Sequence, residues 1–159
     1  MKKILFVCLG NICRSPLAQG IFEDKIAKMN LQDCYFADSA GVSAWHEGEL
    51  PHSGSIKVAK ENSVSIEKQR SRPVTSSDGR EFDYLIAMDA NNYHALLHEF
   101  GVSKEKVFLM RQFETEKFEA KAGDVPDPWG HGPEAFRDVF AILDRSTEGL
   151  IRFLQKSTK

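Results

Sequence analysis

Cys8 and Arg14 are the residues of this sequence whose types and spacing most directly suggest chemistry. A cysteine thiolate is a strong nucleophile, and a helix N-terminus or a nearby cation can lower a cysteine pKa from about 8.5 to ~3.5–7.5. The guanidinium of Arg14 can hold two oxygens of a phosphoryl group with its planar fork. The hydroxyl of Ser15 can donate a hydrogen bond to the sulfur. A nucleophile, an anion clamp and a hydroxyl donor therefore fall within eight residues.

The segment around these residues is predicted to be a loop between a strand and a helix. The apolar run 4–7 indicates a buried strand, and residues 17–22 indicate a helix. Ser15 stands where an N-cap is expected, and Pro16 stands where the first helical residue is expected. Backbone N–H groups in such a loop point at one spot beside the positive end of the helix dipole, which suits a phosphate. The predicted phosphate-binding positions are Leu9, Gly10, Asn11, Ile12, Cys13 and Ser15.

Strands and helices alternate along the rest of the chain. Strands are predicted at residues 2–7, 34–40, 84–88 and 106–110. Helices are predicted at residues 16–29, 53–62, 90–100 and from 133 onward. This order predicts an α/β fold in three layers, in which a parallel sheet lies between helices on both faces.

Cys8, Ser39 and Asp89 each lie at or just past the C-terminal end of a predicted strand. Ligands of such sheets bind beyond the carboxyl ends of the strands, so we expect these three side chains to share one rim. Asp89 is also expected to cap the helix that follows it.

Asp127 is the candidate general acid. Phosphoryl transfer to a thiolate needs an acid that protonates the leaving oxygen. Asp127 lies between two prolines, which stiffen the chain around its carboxyl group, inside a long polar connection at residues 112–133. A connection of that length in a compact domain is usually functional or mobile. Asp124 is the local competitor for the same role.

Trp45 and Trp129 are the expected walls of a substrate pocket. Each lies in polar surroundings rich in glycine or proline, which favours a surface position over a core position. A ring-shaped leaving group packs well between aromatic faces. The histidines form no ligand cluster, and His131, near Asp127, is the histidine considered for contact with substrate.

The ten residues at positions 7–16, Val-Cys-Leu-Gly-Asn-Ile-Cys-Arg-Ser-Pro, resemble the signature loop of the low-molecular-weight protein tyrosine phosphatases. The resemblance extends to Asp-Ser-Ala-Gly at positions 38–41, to Trp-His-x-Gly at 45–48 and to the Asp-Pro pair at 127–128. It implies a four-stranded sheet and a metal-independent hydrolysis of phosphotyrosine in proteins, and of small aryl phosphates, through a phosphocysteine. Cys8 would be the nucleophile, Arg14 the phosphate clamp and Asp127 the acid and then the base. Asn11 would hold the loop, and Ser39 would belong to its supporting network.

Several positions depart from the family pattern or vary within it. Gln69 stands where a histidine of the supporting network is usual, and Gly130 follows Trp129 where a second aromatic residue is frequent. Related arginine phosphatases carry threonine at the position of Ile12, so isoleucine favours phosphotyrosine over phosphoarginine. Cys13 is either a small buried residue or a resolving thiol that traps oxidised Cys8 as a disulfide.

Composition limits the classes of protein that remain. The chain has 159 residues, which fits a single domain at 1–159, with 21 Lys plus Arg, 23 Asp plus Glu and a net charge of −2. No basic excess argues for nucleic acid, and no segment reads as a signal peptide or membrane span. Three cysteines without zinc-site spacing indicate neither a secreted disulfide scaffold nor a metal site. We therefore expect a cytoplasmic enzyme without cofactor, acting on phosphotyrosine-containing proteins as a monomer, with weak self-association left open.

Two other functions share the loop. A thioredoxin-coupled arsenate reductase needs further downstream cysteines to relay a disulfide, whereas Cys34 is the sole cysteine outside the loop. A phosphate-binding module without activity would tolerate the loss of Cys8 or Asp127, and both residues are present. The tyrosine phosphatase interpretation is therefore preferred.

Overall fold

The computed structural model of the protein describes residues 1–115 and 123–157. Part of the predicted connection 112–133, namely residues 116–122, and the end of the predicted domain 1–159 lie outside the described residues. The elements in chain order are β1 (Lys2–Cys8), α1 (Arg14–Lys28), β2 (Tyr35–Gly41), α2 (Ser53–Glu61), α3 (Asp78–Glu81), β3 (Tyr84–Ala87), α4 (Ala90–His98), β4 (Val107–Leu109) and α5 (Pro133–Ser157). Short 3-10 turns at Lys104–Lys106 and Met110–Glu114 flank β4.

The four strands form one parallel sheet in the order β2-β1-β3-β4. Strand β1 lies between β2 and β3, and its residues 4–8 are all buried. A strand buried on both faces reads as a continuous apolar run, which is the pattern of residues 4–7. The predicted four-stranded parallel sheet is therefore confirmed.

The side chains of β1 alternate between two hydrophobic clusters, one on each face of the sheet. Ile4 and Phe6 belong to a large cluster that includes residues of α1, α2 and α5. Leu5 and Val7 belong to a smaller cluster that includes residues of β3, β4 and α4. Because β1 is central and covered on both sides, its C-terminal residue Cys8 is fixed in position at the carboxyl edge of the sheet.

Helix α1 begins two residues earlier than predicted. Cys13 is at the N-cap without a side-chain capping bond, and Arg14 is the first helical residue. The prediction that Ser15 caps the helix is wrong, because its hydroxyl bonds to Cys8 and Asn11 instead. Pro16 remains compatible with the first turn, because the N–H that proline lacks has no intrahelical partner there.

The other boundaries differ from the predictions by small amounts. Ser39 lies within β2, two residues before its end, and not beyond the strand. Helix α3 was not predicted. Asp89 caps α4 as predicted, since its side chain accepts a hydrogen bond from the N–H of Asn92. Among the helices of the described ranges, none has both the length and the apolar character needed to cross a bilayer.

Candidate active site

A cavity of about 320 Å³ opens at the carboxyl end of β1. Nine of the residues singled out in the sequence line it: Cys8, Leu9, Gly10, Ile12, Cys13, Arg14, Trp45, Asp127 and Trp129. Asn11, Ser15, Ser39 and Asp89 are not among its lining residues. Asn11, Ser15 and Asp89 contact Cys8 or Arg14 through hydrogen bonds, and Ser39 accepts a hydrogen bond from Asn11. Two further lining residues, Ser43 and His46, were not predicted as site residues, although His46 belongs to the Trp-His-x-Gly stretch and Ser43 lies two residues before Trp45.

The Cys8 sulfur lies at the base of this cavity among hydrogen-bond donors. The side chain is 2% exposed, Sγ is 3.0 Å from Ser15 Oγ, and the backbone N–H of Asn11 donates to Sγ at 3.3 Å. Helix α1 starts six residues later, so its positive end faces the same region. The atom that would act as nucleophile therefore has polar hydrogens directed at it.

Arg14 is buried beside Cys8, and one of the three guanidinium nitrogens holds the side chain in place. Its Nη1 donates to Asp89 Oδ2 at 2.8 Å and to the carbonyl of Val125 at 3.0 Å. Burial by itself lowers the pKa of Arg14, but the neighbouring Cys8, Asp89 and Asp127 charges outweigh burial and raise it. The guanidinium is therefore a fixed cation whose orientation is set by Asp89.

The Nε of Arg14 has no hydrogen-bond partner within the described part of the chain, although the side chain is only 3% exposed. A buried donor without a partner is costly, so such a group is typical of a site that a ligand completes. Nη2 lies 4.0 Å from Asp127 Oδ2, on the cavity side. Nε and Nη2 together are the edge with which a guanidinium holds two oxygens of one anion.

Asn11 holds the loop from inside. Its φ is +57°, a left-handed conformation that asparagine tolerates better than most residues. Nδ2 donates to Ser15 Oγ at 2.7 Å and to Ser39 Oγ at 3.0 Å, and Oδ1 accepts from the N–H of Arg72 at 3.0 Å. Because Asn11 donates to Ser15 Oγ, the Ser15 hydroxyl hydrogen is left to point at the Cys8 sulfur.

The supporting network continues through Gln19 and not through Gln69. Ser39 Oγ donates to Gln19 Oε1 at 2.7 Å, whereas Gln69 Nε2 donates to the carbonyl of Pro16. Sequence reasoning missed Gln19, yet it lies four residues after Ser15 on α1 and therefore on the same helix face. The replacement of the usual histidine by Gln69 thus leaves Ser39 with a partner.

Asp127 projects into the cavity from a loop that is anchored just before it. Its Oδ1 accepts from the N–H of Trp129 at 3.1 Å, and its carboxylate is partly exposed. Val125, two residues earlier, is buried, and its N–H donates to the carbonyl of Met88 at 2.8 Å. Asp124 does not line the cavity, because its Oδ1 accepts from the N–H of Ala90. Of the two candidates for the acid, Asp127 alone faces Cys8 and Arg14.

The mouth of the cavity is apolar and exposed. Trp45 is 85% exposed and Trp129 is 60% exposed, and Leu9 is also exposed. His46 Nδ1 lies 2.6 Å from Glu49 Oε2 on the same rim. His131 does not line this cavity but a separate cleft that also includes His52.

Cys13 lines the cavity as a protonated thiol. Burial raises its pKa to about 12, and the charges of Cys8 and Asp127 add to that effect while Arg14 opposes it. The structure contains Cys8, Cys13 and Cys34 as free thiols. Over residues 1–115 and 123–157, no group of three or more His, Cys, Asp or Glu side chains could hold a metal ion.

A cavity that combines a thiol with a buried guanidinium, set after the first strand of a parallel α/β fold, is the arrangement expected of a cysteine-dependent phosphatase. Within that class, the family described as "Low molecular weight phosphotyrosine protein phosphatase" matches residues 3–159, and the chain belongs to this family. It is therefore a protein tyrosine phosphatase that hydrolyses phosphotyrosine by the cysteine-based mechanism of the family.

Individual relatives match nearly the whole chain. The low-molecular-weight protein-tyrosine-phosphatase YfkJ of Bacillus subtilis is 38% identical over 156 residues, which cover 98% of this chain and 97% of that protein. Its crystal structure superposes with a TM-score of 0.91 over 100% of this chain and 98% of that one. The protein tyrosine phosphatase of Entamoeba histolytica, solved with Hepes in its active site, is 40% identical with a TM-score of 0.89 over 100% of both chains.

The same fold also occurs in a phosphatase with another substrate. YwlE of Bacillus subtilis, described as an arginine phosphatase, is 26% identical with a TM-score of 0.86, over 97% of this chain and 96% of that one. Substrate choice within this fold therefore depends on particular residues of the site.

Proposed function

We propose that Cys8, Arg14 and Asp127 perform the two steps of phosphotyrosine hydrolysis. The Cys8 thiolate attacks phosphorus in line, so that a sulfur–phosphorus bond forms while the bond from phosphorus to the tyrosine oxygen breaks. Asp127 gives its proton to that departing oxygen. The amides of the loop and the Arg14 guanidinium hold the equatorial oxygens of the transferring group, where charge is concentrated in the transition state.

The second step regenerates the thiolate. Water attacks the phosphorus of phospho-Cys8, and Asp127, now ionised, accepts a proton from that water. The sulfur leaves as a thiolate, stabilised by the Ser15 hydroxyl at 3.0 Å and the Asn11 N–H at 3.3 Å. Phosphate is then released.

The observation that supports these roles best is the unpaired Nε of buried Arg14. Asp89 and Val125 occupy Nη1, so the remaining edge of the guanidinium is free to meet two phosphoryl oxygens beside the sulfur. Replacing Arg14 by lysine keeps the charge but removes the fork. We expect Arg14→Lys to lower kcat/KM by roughly 10²–10³-fold, as the loss of one transition-state donor does elsewhere, while Arg70→Lys on the exposed surface changes it little.

We propose phosphotyrosine in proteins as the substrate, in preference to phosphoarginine. Ile12 is buried and offers the leaving group an apolar contact but no hydrogen bond. Trp45 and Trp129 supply aromatic surface at the mouth, against which a phenol ring can pack.

The test compares phosphate release from a phosphotyrosine peptide and from free phosphoarginine, with a chelator and a reductant present. We expect turnover of the tyrosine substrate in the wild-type protein and none in Cys8→Ser. Faster turnover of phosphoarginine, judged by kcat/KM, would contradict the assignment of Ile12 while leaving the nucleophile in place. An active Cys8→Ser protein would overturn the mechanism.

We further propose that the enzyme acts as a monomer on phosphotyrosine-containing proteins of the cytoplasm. The support for this compartment is chemical, since Cys8 must stay reduced to attack phosphorus, and reduced thiols are typical of the cytosol. Light scattering across a range of concentrations tests the oligomeric state, and a stable dimer at low concentration would contradict the proposal.

A further inference from the structure

We propose that Asp124 is a positioning residue that fastens the loop of the general acid to the first turn of helix α4. The proposal rests on the proposed role of Asp127 as general acid. Asp124 does not touch the cavity, so it would act through the backbone that leads to Asp127.

The contact of Asp124 with α4 is a charged hydrogen bond at a helix N-terminus. Its Oδ1 accepts from the N–H of Ala90, the first residue of the helix, at 2.9 Å. The first N–H groups of a helix have no intrahelical partner, and the helix dipole favours a carboxylate there. On the other side, Arg111 Nη1 donates to the backbone carbonyl of Asp124 at 3.2 Å.

The residue after Asp124 is fastened as well. The N–H of Val125 donates to the carbonyl of Met88, the residue after β3, and the carbonyl of Val125 accepts from Arg14 Nη1. Val125 is buried, whereas Asp127 and Trp129 beyond it are exposed. The position of the Asp127 carboxylate is therefore set by the backbone at residues 124 and 125, more than by burial of its own side chain.

A second carboxylate, that of Asp89, also accepts a hydrogen bond from the first turn of helix α4. Asp89 Oδ1 accepts from the N–H of Asn92, while its Oδ2 holds Arg14 at 2.8 Å. One turn of helix thus orients the phosphate clamp through Asp89 and the acid loop through Asp124. Arg14 Nη2 and Asp127 Oδ2 lie 4.0 Å apart, beyond these two attachments.

The experiment measures how much each variant depends on protonation of the leaving group. Tyrosine is a poor leaving group, because its phenol pKa is about 10, whereas a nitrophenolate leaves readily without a proton. We expect Asp124→Ala to lower kcat/KM for a phosphotyrosine peptide by roughly tenfold to a hundredfold, since a misplaced acid loses most of its contribution. For nitrophenyl phosphate, kcat/KM of Asp124→Ala should stay within about threefold of the wild-type value, because that ester needs the acid least.

Asp124→Asn and Asp33→Ala are the matched controls. Asparagine keeps an oxygen that can accept from the Ala90 N–H. Asp124→Asn should therefore retain most of the activity on phosphotyrosine that Asp124→Ala loses. Asp33 is an exposed carboxylate far along the chain, and its removal should change neither substrate.

The opposite results would overturn the proposal. If Asp124→Ala lowers kcat/KM equally on both substrates, Asp124 has a general structural effect. If Asp124→Ala leaves kcat/KM unchanged on both, Asp124 does not position the acid. Asp127→Asn separates this failure from failure of the proposed function: if Asp127→Asn lacks the selective loss on phosphotyrosine, Asp127 is not the acid. If Asp127→Asn shows that loss and Asp124→Ala does not, only the positioning role is wrong.

Discussion

Cys13 is a residue whose chemistry depends on its burial. Its pKa of about 12 means that nearly all of the thiol is protonated at neutral pH. If peroxide converts Cys8 to a sulfenic acid, only the thiolate form of Cys13 attacks it efficiently. We therefore expect disulfide formation to accelerate about tenfold per pH unit from about pH 6 to about pH 8, because the thiolate fraction grows in that proportion below the pKa.

The measurement is recovery of activity after peroxide and then thiol reductant. Wild-type protein and Cys34→Ser should recover, whereas Cys13→Ser should lose recovery because Cys8 proceeds to irreversible oxidation. Full recovery of Cys13→Ser would leave Cys13 as a small buried residue, the other interpretation of its sequence position.

Glu23 is exposed as a whole residue, but partial desolvation of its carboxyl raises its pKa; a hydrogen bond from Gln19 opposes the effect and the nearby Asp38 charge adds to it. A carboxyl whose folded pKa exceeds its unfolded value opposes folding when ionised. The opposition is complete above the folded pKa and absent below the unfolded value of about 4.5. Glu23→Gln should therefore have a larger free energy of unfolding than the wild type at pH 7, with a difference that shrinks toward pH 4.

Urea denaturation at both pH values tests this expectation. Glu61→Gln is the control of opposite sign, because the hydrogen bond from Arg137 lowers the pKa of Glu61. The assignment fails if Glu23→Gln is less stable than the wild type at pH 7.

Individual residues of the site differ in how far the sequence predicted them. Cys8, Arg14 and Asp127 were identifiable because thiol, guanidinium and carboxyl are the groups that the reaction needs, and the signature loop is continuous in sequence. Arg72 was not identifiable, because it contacts Asn11 through its backbone N–H from 61 residues away, and its side-chain type does not indicate such a contact. Gln19 was missed for another reason: an amide on a helix is usually a solvated residue, and only the fold brings Ser39 to it.

At the scale of elements, helix α5 approaches the turn after β4 without any side chain between them. A Cβ built on Gly149 would overlap the backbone carbonyl oxygen of Phe113. Because that neighbour is backbone, it cannot move aside as a flexible side chain would. We expect Gly149→Ala to lower the free energy of unfolding by about 3 kcal/mol and the Tm by roughly 6–12 °C.

Gly132→Ala is the matched control for that substitution. Nothing lies within 4 Å of a Cβ at Gly132, just before α5 begins, so stability should change by less than about 0.5 kcal/mol. The Tm values of both variants and of the wild type test this prediction. Equal stability of Gly149→Ala and the wild type would show that α5 can shift away from Phe113.

The elements themselves were predictable where hydrophobic periodicity is strong. The four strands and the helices α1, α2, α4 and α5 appear near the predicted positions, because a buried strand and an amphipathic helix leave plain patterns in the sequence. The start of α1 was not predicted correctly. Ser15 is of a type that commonly caps helices, but its hydroxyl bonds to Cys8 and Asn11 in the site. Helix α3, with four residues, is too short to leave a periodic pattern.

At the scale of the whole molecule, the two hydrophobic clusters share one sheet. The residues of β1 alternate between them, so neither cluster can be lost while the other keeps its packing surface. We propose that residues 1–159 form a single folding unit. Loss of helical circular dichroism and loss of activity in urea should therefore coincide in one transition, and two separated transitions would contradict it.

The placement of the two tryptophans gives this enzyme an internal optical signal. The sequence contains two, Trp45 and Trp129, and both line the mouth of the cavity. Selectively excited indole emission therefore comes entirely from the entrance to the site, with no background from the core. Titration with an unreactive phosphotyrosine mimic should change the intensity and colour of this emission and so yield a Kd without any attached dye, and Trp45→Phe and Trp129→Phe would divide the signal between the two sides of the entrance.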